Sequence, residues 1–283
     1  MRTPPPLTVD DLKIVAAVND QTTLSSCLAA SPDIRSGRVP FRIYGGYRSA
    51  SEAFNRALDE TTAEKRHPNP PRVLVIAHQD VYLPAGFAQR LVATLNALAI
   101  DDADWAVAGC IGITAEGQLR GRTWASSMKK VLGSTANLPA VVASLDELIL
   151  ILNLGSTDAG FPRFDPELPS FHLYGTDIVQ AARALNRRCY AIDLPVVHHS
   201  RPVVALGRGY WRAYRYCQAK WRESLPVATL MGGLHASVLP MLKQDVLYRL
   251  RSRGARVRRR PDGNPRDIAS ALGFDVEVSG GRE

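Results

Sequence analysis

No stretch of the chain approaches the roughly 20 consecutive apolar residues of a membrane-spanning helix. The opening residues, Met1-Arg-Thr-Pro-Pro-Pro6, carry no apolar signal region. Together these absences lead to the expectation of a soluble, cytoplasmic protein. Cysteine is scarce: Cys27, Cys110, Cys189 and Cys217 are widely spaced, with no CxxC pair. That spacing argues against a disulfide framework or a zinc knuckle and for buried free thiols. Neither a Walker-type glycine-rich phosphate loop nor a Ser-His-Asp elbow is present. Acidic residues almost vanish from one segment. Between Lys243 and Arg260 stand eight basic residues and a single acid, Asp245, which accounts for most of the net charge of +8. The remainder is close to neutral, so no basic stripe runs through the body and nucleic-acid binding is not expected.

What is present suits one large core, or one core with a small appendage: 283 residues, 46% of them hydrophobic. The run Val73-Leu-Val-Ile-Ala77 reads as a buried parallel strand. It stops on His78-Gln79-Asp80, and a spacing of two sets His78 and Asp80 on one face. Pro84 and Gly86 follow, then an amphipathic helix with Phe87, Leu91, Leu95 and Leu98. Leu12–Val18 is a second such strand, ending on Asn19 and Asp20, with a short helix through Leu24 and Leu28 behind it. Phe41–Tyr44 is a third. Ser49 and Glu52 have capping-box spacing, opening a helix through Phe54, Asn55 and Leu58. Strand and helix alternate, which predicts a parallel sheet with helices on both sides. In such sheets ligands bind beyond the carboxyl ends of the strands.

The second half is less regular. Asp104–Cys110 reads as a strand, and residues 114–140 as irregular chain or short hairpins over the active face. Val141–Asn153 is apolar but interrupted by Asp146-Glu147, a pair that is costly to bury. A helix is predicted over Ile178–Leu185 and a buried strand over Cys189–Val197, ending on His198-His199-Ser200. Gly209–Arg222 is an aromatic and basic helix. Leu230–Leu250 is one hydrophobic helix or two, and the last residues read as frayed. The domain expectation is a body over 10–226 and a C-terminal helical extension with a basic tail over 227–283. Leu242, Val246, Leu247 and Leu250 give that extension an apolar face beside the arginine run. A peripheral membrane contact through 240–260, at the inner membrane surface, is a second option for it.

Six segments in this order carry a resemblance: VND after the first strand, the Gly-Tyr-Arg-Ser-Ala-Ser-Glu-Ala-Phe-Asn stretch, HQDVYLP, LDELILIL, FHLYGTD and VVHHS, with a final KW. Over residues 12–226 the chain resembles the family-2-like glycosyltransferases of the streptomycin-biosynthesis glycosyltransferase domain type. The resemblance implies an α/β fold of the A-type nucleotide-diphospho-sugar transferase kind, a mixed sheet with helices on both faces. It also implies a hexosyltransferase-like enzyme, a nucleotide-sugar donor, and a divalent cation, Mn²⁺ or Mg²⁺. His78-Gln79-Asp80 is similar to the DxD motif of that family, with Asp80 in the metal-holding position and His78 replacing the first Asp. By the same resemblance Asn19, Asp20, Ser49, Asn55, His78 and Gln79 are nucleotide-sugar contacts, and His198 or His199 completes the metal shell. Tyr174-Gly-Thr-Asp177 resembles the acidic segment that heads a helix and supplies the base, but its first two acids are missing here. The catalytic carboxylate is then Asp177 or Asp146.

The chemistry asks for the same residue types. A leaving diphosphate needs a hard cation on oxygen ligands, and a histidine can join if the metal is Mn²⁺. The acceptor hydroxyl, on a glycan, a lipid-linked precursor or a small molecule, must lose a proton to a carboxylate. Arg201, Arg208 and Lys220 are candidates to clamp the diphosphate. The alternative is a catalytically silent nucleotide-sugar-binding module that recruits a partner or a membrane through its basic tail.

Overall fold

The computed structural model describes residues 5–64, 70–155, 161–251 and 263–276. In chain order β1 (Leu12–Val18) is followed by α1 (Gln21–Ser26), the single turn α2 (Pro32–Arg35), β2 (Phe41–Gly45), α3 (Ala50–Ala63), β3 (Val73–Ala77), β4 (Val81–Tyr82) and α4 (Phe87–Asp101). Short strands come next: β5 (Val107–Gly109), β6 (Ile111–Ile113), β7 (Leu119–Gly121), β8 (Thr123–Ala125), β9 (Lys130–Leu132), β10 (Ala140–Val141) and β11 (Ser144–Leu145). The chain ends with β12 (Ile149–Asn153), α5 (Tyr174–Ala184), β13 (Cys189–Ala191), β14 (Val196–His198), α6 (Arg208–Lys220), α7 (Leu239–Arg251) and α8 (Pro265–Ala271).

Among the described residues the strands form a large sheet, ordered β10-β13-β5-β12-β3-β1-β2, and two small ones, β4-β14-β8-β9 and β11-β6-β7. The architecture is α/β with a mixed sheet. β1, β2 and β3 are parallel, as the alternation of the first hundred residues predicts. β12 departs from that pattern, running antiparallel to both β3 and β5.

Both faces of the sheet are covered, which is why its inner strand β3 is an unbroken apolar run, while β1 carries one buried charge, Lys13, paired with Glu64 at 2.5 Å. Val15, Leu74, Ile76, Leu150 and Leu152 pack with α3, α5 and α6 on one face. Ile14, Ala16, Val73, Val75, Ile149 and Ile151 pack with α4 on the other. Leu91, Leu95 and Leu98 of α4 are at most 1% exposed, and burying each contributes roughly 1.5–3 kcal/mol. The four cysteines are buried free thiols. No helix among the described residues is long and apolar enough to cross a membrane.

Several sequence expectations need correction. The strand predicted over Cys189–Val197 is two strands, because Asp193-Leu-Pro195 breaks the ladder and carries the chain from the large sheet into the second one. The helix predicted from Ile178 begins at Tyr174. Leu230–Leu250 holds one helix, α7, after irregular chain joined by a Val227–Leu234 bridge. Of the last residues, 263–276 are not frayed, and 277–283 lie outside the described residues. Asn264 caps α8, Ala269 and Phe274 pack on Tyr82 and Val197, and Val276 N–H donates to Ala85 O at 2.8 Å. The domain boundary expected at 226/227 crosses continuous core, since Val227, Leu234 and Met241 share one apolar cluster with Leu150 and Tyr214. Most of the arginine run, from Arg253 to Arg260, lies outside the described residues.

Candidate metal centre

Strand ends and sheet pairing build the site. β3 stops at Ala77 and residues 78–80 form a turn, closed by Val81 N–H donating to His78 O at 3.1 Å. The turn, rather than a continued strand, faces His78 and Asp80 to one another: Nδ1 lies 2.7 Å from Asp80 Oδ1. β14 pairs antiparallel with β4, placing His198 opposite Val81, and its Nε2 is 3.5 Å from Asp80 Oδ2. The ligand atoms of His78, Asp80 and His198 all lie within 4.8 Å of one another.

The neighbouring residue on the strand points the other way. His199 is buried with its ring nitrogen 3.3 Å from Ser126 Oγ, and its backbone serves the turn, donating to Asp80 O at 2.9 Å. Between the two histidines offered by the sequence, geometry selects His198, and His78 takes the third position instead of His199.

Burial pushes the Asp80 carboxyl up, but the imidazoles of His78 and His198 more than reverse this and hold it well below the usual carboxylate range. Asp80 is thus an anion at every working pH, as a cation ligand must be. Two imidazoles and one carboxylate form a donor set that suits Mn²⁺ or another first-row transition metal better than Mg²⁺, which prefers oxygen alone. The residues present therefore fit the cation that the resemblance implies, and they narrow it.

The tip of β1 is stapled to this turn. Gln79 Oε1 accepts from the N–H groups of Asn19 and Asp20 at 3.0 and 3.1 Å, and its Nε2 donates to Asn19 Oδ1 at 2.6 Å. Asp20 caps α1, accepting from Thr23 N–H at 3.0 Å. Here the side chains of Asn19 and Gln79, with the Asp20 N–H, hold two strand tips together, and the Asp20 carboxylate serves α1.

Because β12 is antiparallel, its entrance lies beside the exit of β3, and His78 N–H donates to Leu148 O at 2.9 Å. That register delivers Asp146 and Glu147 to the same edge. Both line a cavity of about 480 Å³ with His78, His198, Tyr210 and an apolar wall that includes Phe171, Val203, Leu206 and Met231. Burial raises the Asp146 carboxyl. Burial and then Asp146 push Glu147 up to about 8, while the Gly175 N–H and His78 draw it back. A Cβ on Gly175 would stand 2.5 Å from Leu145 O. No side chain, acidic or otherwise, fits there, and the Glu147 carboxylate reaches this helix N-terminus from the turn between β11 and β12. The Tyr210 hydroxyl is buried with no hydrogen-bond partner among the described residues.

Other sequence candidates lie elsewhere. Asp177, 1% exposed, receives Lys220 Nζ at 2.8 and 3.0 Å and Trp221 Nε1 at 2.7 Å. Lys220 is bound on its other side by Asp165 at 2.5 Å. This is an internal ion pair away from the cavity, so neither residue is placed for base or diphosphate work. Ser49 caps α3, accepting from Glu52 N–H at 3.2 Å, while Glu52 reaches Arg48 N–H rather than closing the expected box. Asn55 exchanges hydrogen bonds of 2.7 and 3.2 Å with the Phe164 backbone. Ser49 and Asn55 line a separate groove with Arg48 and Arg212. Sequence reasoning did not select Glu147 or Tyr210. The signal for Glu147 was the acidic pair inside an apolar run.

The titration of this edge predicts a pH dependence in the metal-free protein. Glu147 in the fold holds its proton above the ordinary value of 4.5, so its contribution is complete below that pH and lost as pH rises through about 8. His78, held up to about 9 by Asp80 against the opposing effect of burial, adds a contribution that is complete below 6.5 and lost through about 9. With a chelator present, the melting temperature should fall between pH 6.5 and 9, and Glu147→Gln should flatten the fall. A flat profile in the wild type would contradict these environments.

No family model matches the chain. It is similar to the protein "ATP synthase subunits region ORF 6" of Fuscovulum blasticum, at 30% identity over 172 residues, which is 55% of this chain. The match spans 61% of that protein's length. Among solved structures, A197 from STIV superposes with a TM-score of 0.38 and 13% identity, over 64% of this chain and 81% of that one, a likeness too loose to define a fold.

Proposed function

We propose that the chain is a metal-dependent glycosyltransferase of A-type fold, moving a sugar from a nucleoside-diphosphate donor to an acceptor hydroxyl with inversion. One observation carries the reading. The VND, HQD, LDEL, YGTD and VVHHS segments, far apart in sequence, meet at one sheet edge through Gln79 with Asn19, His78 with Leu148, Glu147 with Gly175, and Asp80 with His198. His78, Asp80 and His198 would hold the cation, which when bound supplies positive charge for a leaving diphosphate.

The chain's own residues do the rest. Glu147, or Asp146 beside it, takes the proton as the acceptor oxygen bonds to the anomeric carbon and the bond to the diphosphate breaks. A carboxyl raised toward neutrality is matched to that task. Tyr210 offers its unpartnered hydroxyl to the acceptor, and the apolar wall excludes water that would otherwise hydrolyse the donor. With Lys220 committed to Asp165 and Asp177, Arg201 and Arg208 remain for the diphosphate. They are exposed and flank the cavity-lining residues 202–207.

The test is a screen of nucleotide sugars with Mn²⁺, read by mass spectrometry of the released nucleotide. One donor should hydrolyse slowly, and Glu147→Gln should cut that turnover roughly 100- to 10,000-fold while the donor still raises the melting temperature. A thermal shift without turnover for any donor would leave a silent binding module. No shift with any donor would overturn the reading.

A further inference from the structure

The outer face of α7 plays no part in the site. Leu239, Leu242, Val246 and Leu250 are 68%, 44%, 52% and 50% exposed. Their spacing of three, four and four residues sets them in one stripe along the helix. The stripe differs from the sequence expectation by including Leu239 and leaving Leu247 half-buried at its edge. Helical geometry puts Lys243, exposed, on one border of the stripe and Arg249 on the other, where it is ion-paired to Asp245 at 3.1 Å, with Arg251 at the helix end. A solvated helix does not need four large apolar side chains in register, and isolated exposed apolar residues are common where a continuous stripe is not.

The helix is fixed rather than loosely attached. Met241 is 1% exposed in the main core. Asp245 accepts the Leu206 N–H at 2.6 Å, and the Tyr248 hydroxyl meets Met231 sulfur at 4.0 Å. Leu206 and Met231 line the cavity of the candidate site, and so does half-exposed Val203. The inner face of α7 therefore buttresses the cavity wall while its outer face presents apolar surface bordered by cations.

We infer that the outer face of α7 docks on an anionic lipid surface, with Leu239, Leu242, Val246 and Leu250 entering the headgroup boundary and Lys243 and Arg251 meeting lipid phosphates. Charge complementarity decides the occupant. A second copy of this chain would bring the like charges of Lys243 and Arg251 into the same contact, whereas an anionic bilayer neutralises them and takes up the apolar side chains beside them. A docked α7 holds the cavity at the bilayer surface, so its apolar wall can accept an amphiphilic alcohol from the lipid. That last step rests on the glycosyltransferase reading, and the docking does not.

The experiment is co-sedimentation of the full chain, without nucleotide, on vesicles of phosphatidylcholine with and without phosphatidylglycerol. Binding is expected on the mixed vesicles, weak on phosphatidylcholine alone, and reduced by salt. The double variant Val246→Glu/Leu250→Glu should lose about tenfold or more, and Lys243→Glu about fivefold. Both substitute exposed positions, and unchanged melting temperatures would establish that the variants fold. Equal binding to both vesicle types, or mixed-vesicle binding that survives the double variant, overturns the inference. So does a wild-type dimer in solution that the double variant dissolves in the absence of vesicle binding. Because no donor is present, failure here leaves the glycosyltransferase reading standing, and failure of the donor screen leaves this result intact.

Discussion

Asp80→Ala is expected to abolish the stabilisation of the protein by Mn²⁺. A cation at a hundred times its dissociation constant stabilises the folded state by about 2.7 kcal/mol. For a chain of this size that is a rise of roughly 5 °C in melting temperature. Asp80 contributes the only carboxylate of the cluster and touches both imidazoles, at 2.7 and 3.5 Å. Removing it leaves His78 and His198 with no charged ligand between them. His198→Ala should behave similarly, whereas His199→Ala should respond to Mn²⁺ as the wild type does, because its ring faces Ser126. Thermal denaturation against cation concentration separates the three. A full response in Asp80→Ala, or a response lost equally in His199→Ala, would remove the metal assignment.

The second large effect is on stability. Asp177→Ala should destabilise the fold by about 3 kcal/mol, the lower part of the range for breaking a buried ion pair, because Lys220 keeps Asp165 at 2.5 Å. The Trp221 indole N–H also loses its acceptor. The melting temperature should drop by roughly 6 °C or more while the response to Mn²⁺ persists. Asp177→Asn keeps an oxygen for the indole and should fall between wild type and alanine. These outcomes mark Asp177 as a structural anchor joining α5 to α6. A variant with unchanged melting temperature and lost donor turnover would return it to the catalytic candidates.

The parts of the fold that the sequence makes plain are those with a single physical explanation. β1 and β3 match their predicted bounds because strands covered on both faces are apolar almost throughout, with Lys13 of β1 tolerated by its pairing with Glu64, and polar residues return at the tips. The direction of β12 was not legible, since an apolar run has no polarity of its own. Yet that direction brings Asp146 and Glu147 to the site. The choice between His198 and His199 depends on the phase of a three-residue strand, set by pairing with β4 and β8 rather than by local pattern. Asp177 is a candidate through the resemblance of Tyr174-Gly-Thr-Asp177 to a base-bearing segment and Lys220 as a cation for the diphosphate, and their pairing across 43 residues, invisible in local pattern, gives both a structural role. The α8 start was readable: Asn264 followed by Pro265 is an N-cap with proline in the first turn. Its shortness concealed it.

The packing of α8 has a consequence for biosynthesis. Phe274 and Ala269 cover Tyr82 and Val197, the paired residues next to Asp80 and His198, and Asp275 and Val276 tie down Ala85. On the ribosome, the large sheet can assemble while this segment is still within the exit tunnel. The β4–β14 pair, whose Tyr82 and Val197 lie on the face opposite His198, gains its apolar cover only after residue 276 emerges, so the back of this small sheet is sealed after the large sheet has formed.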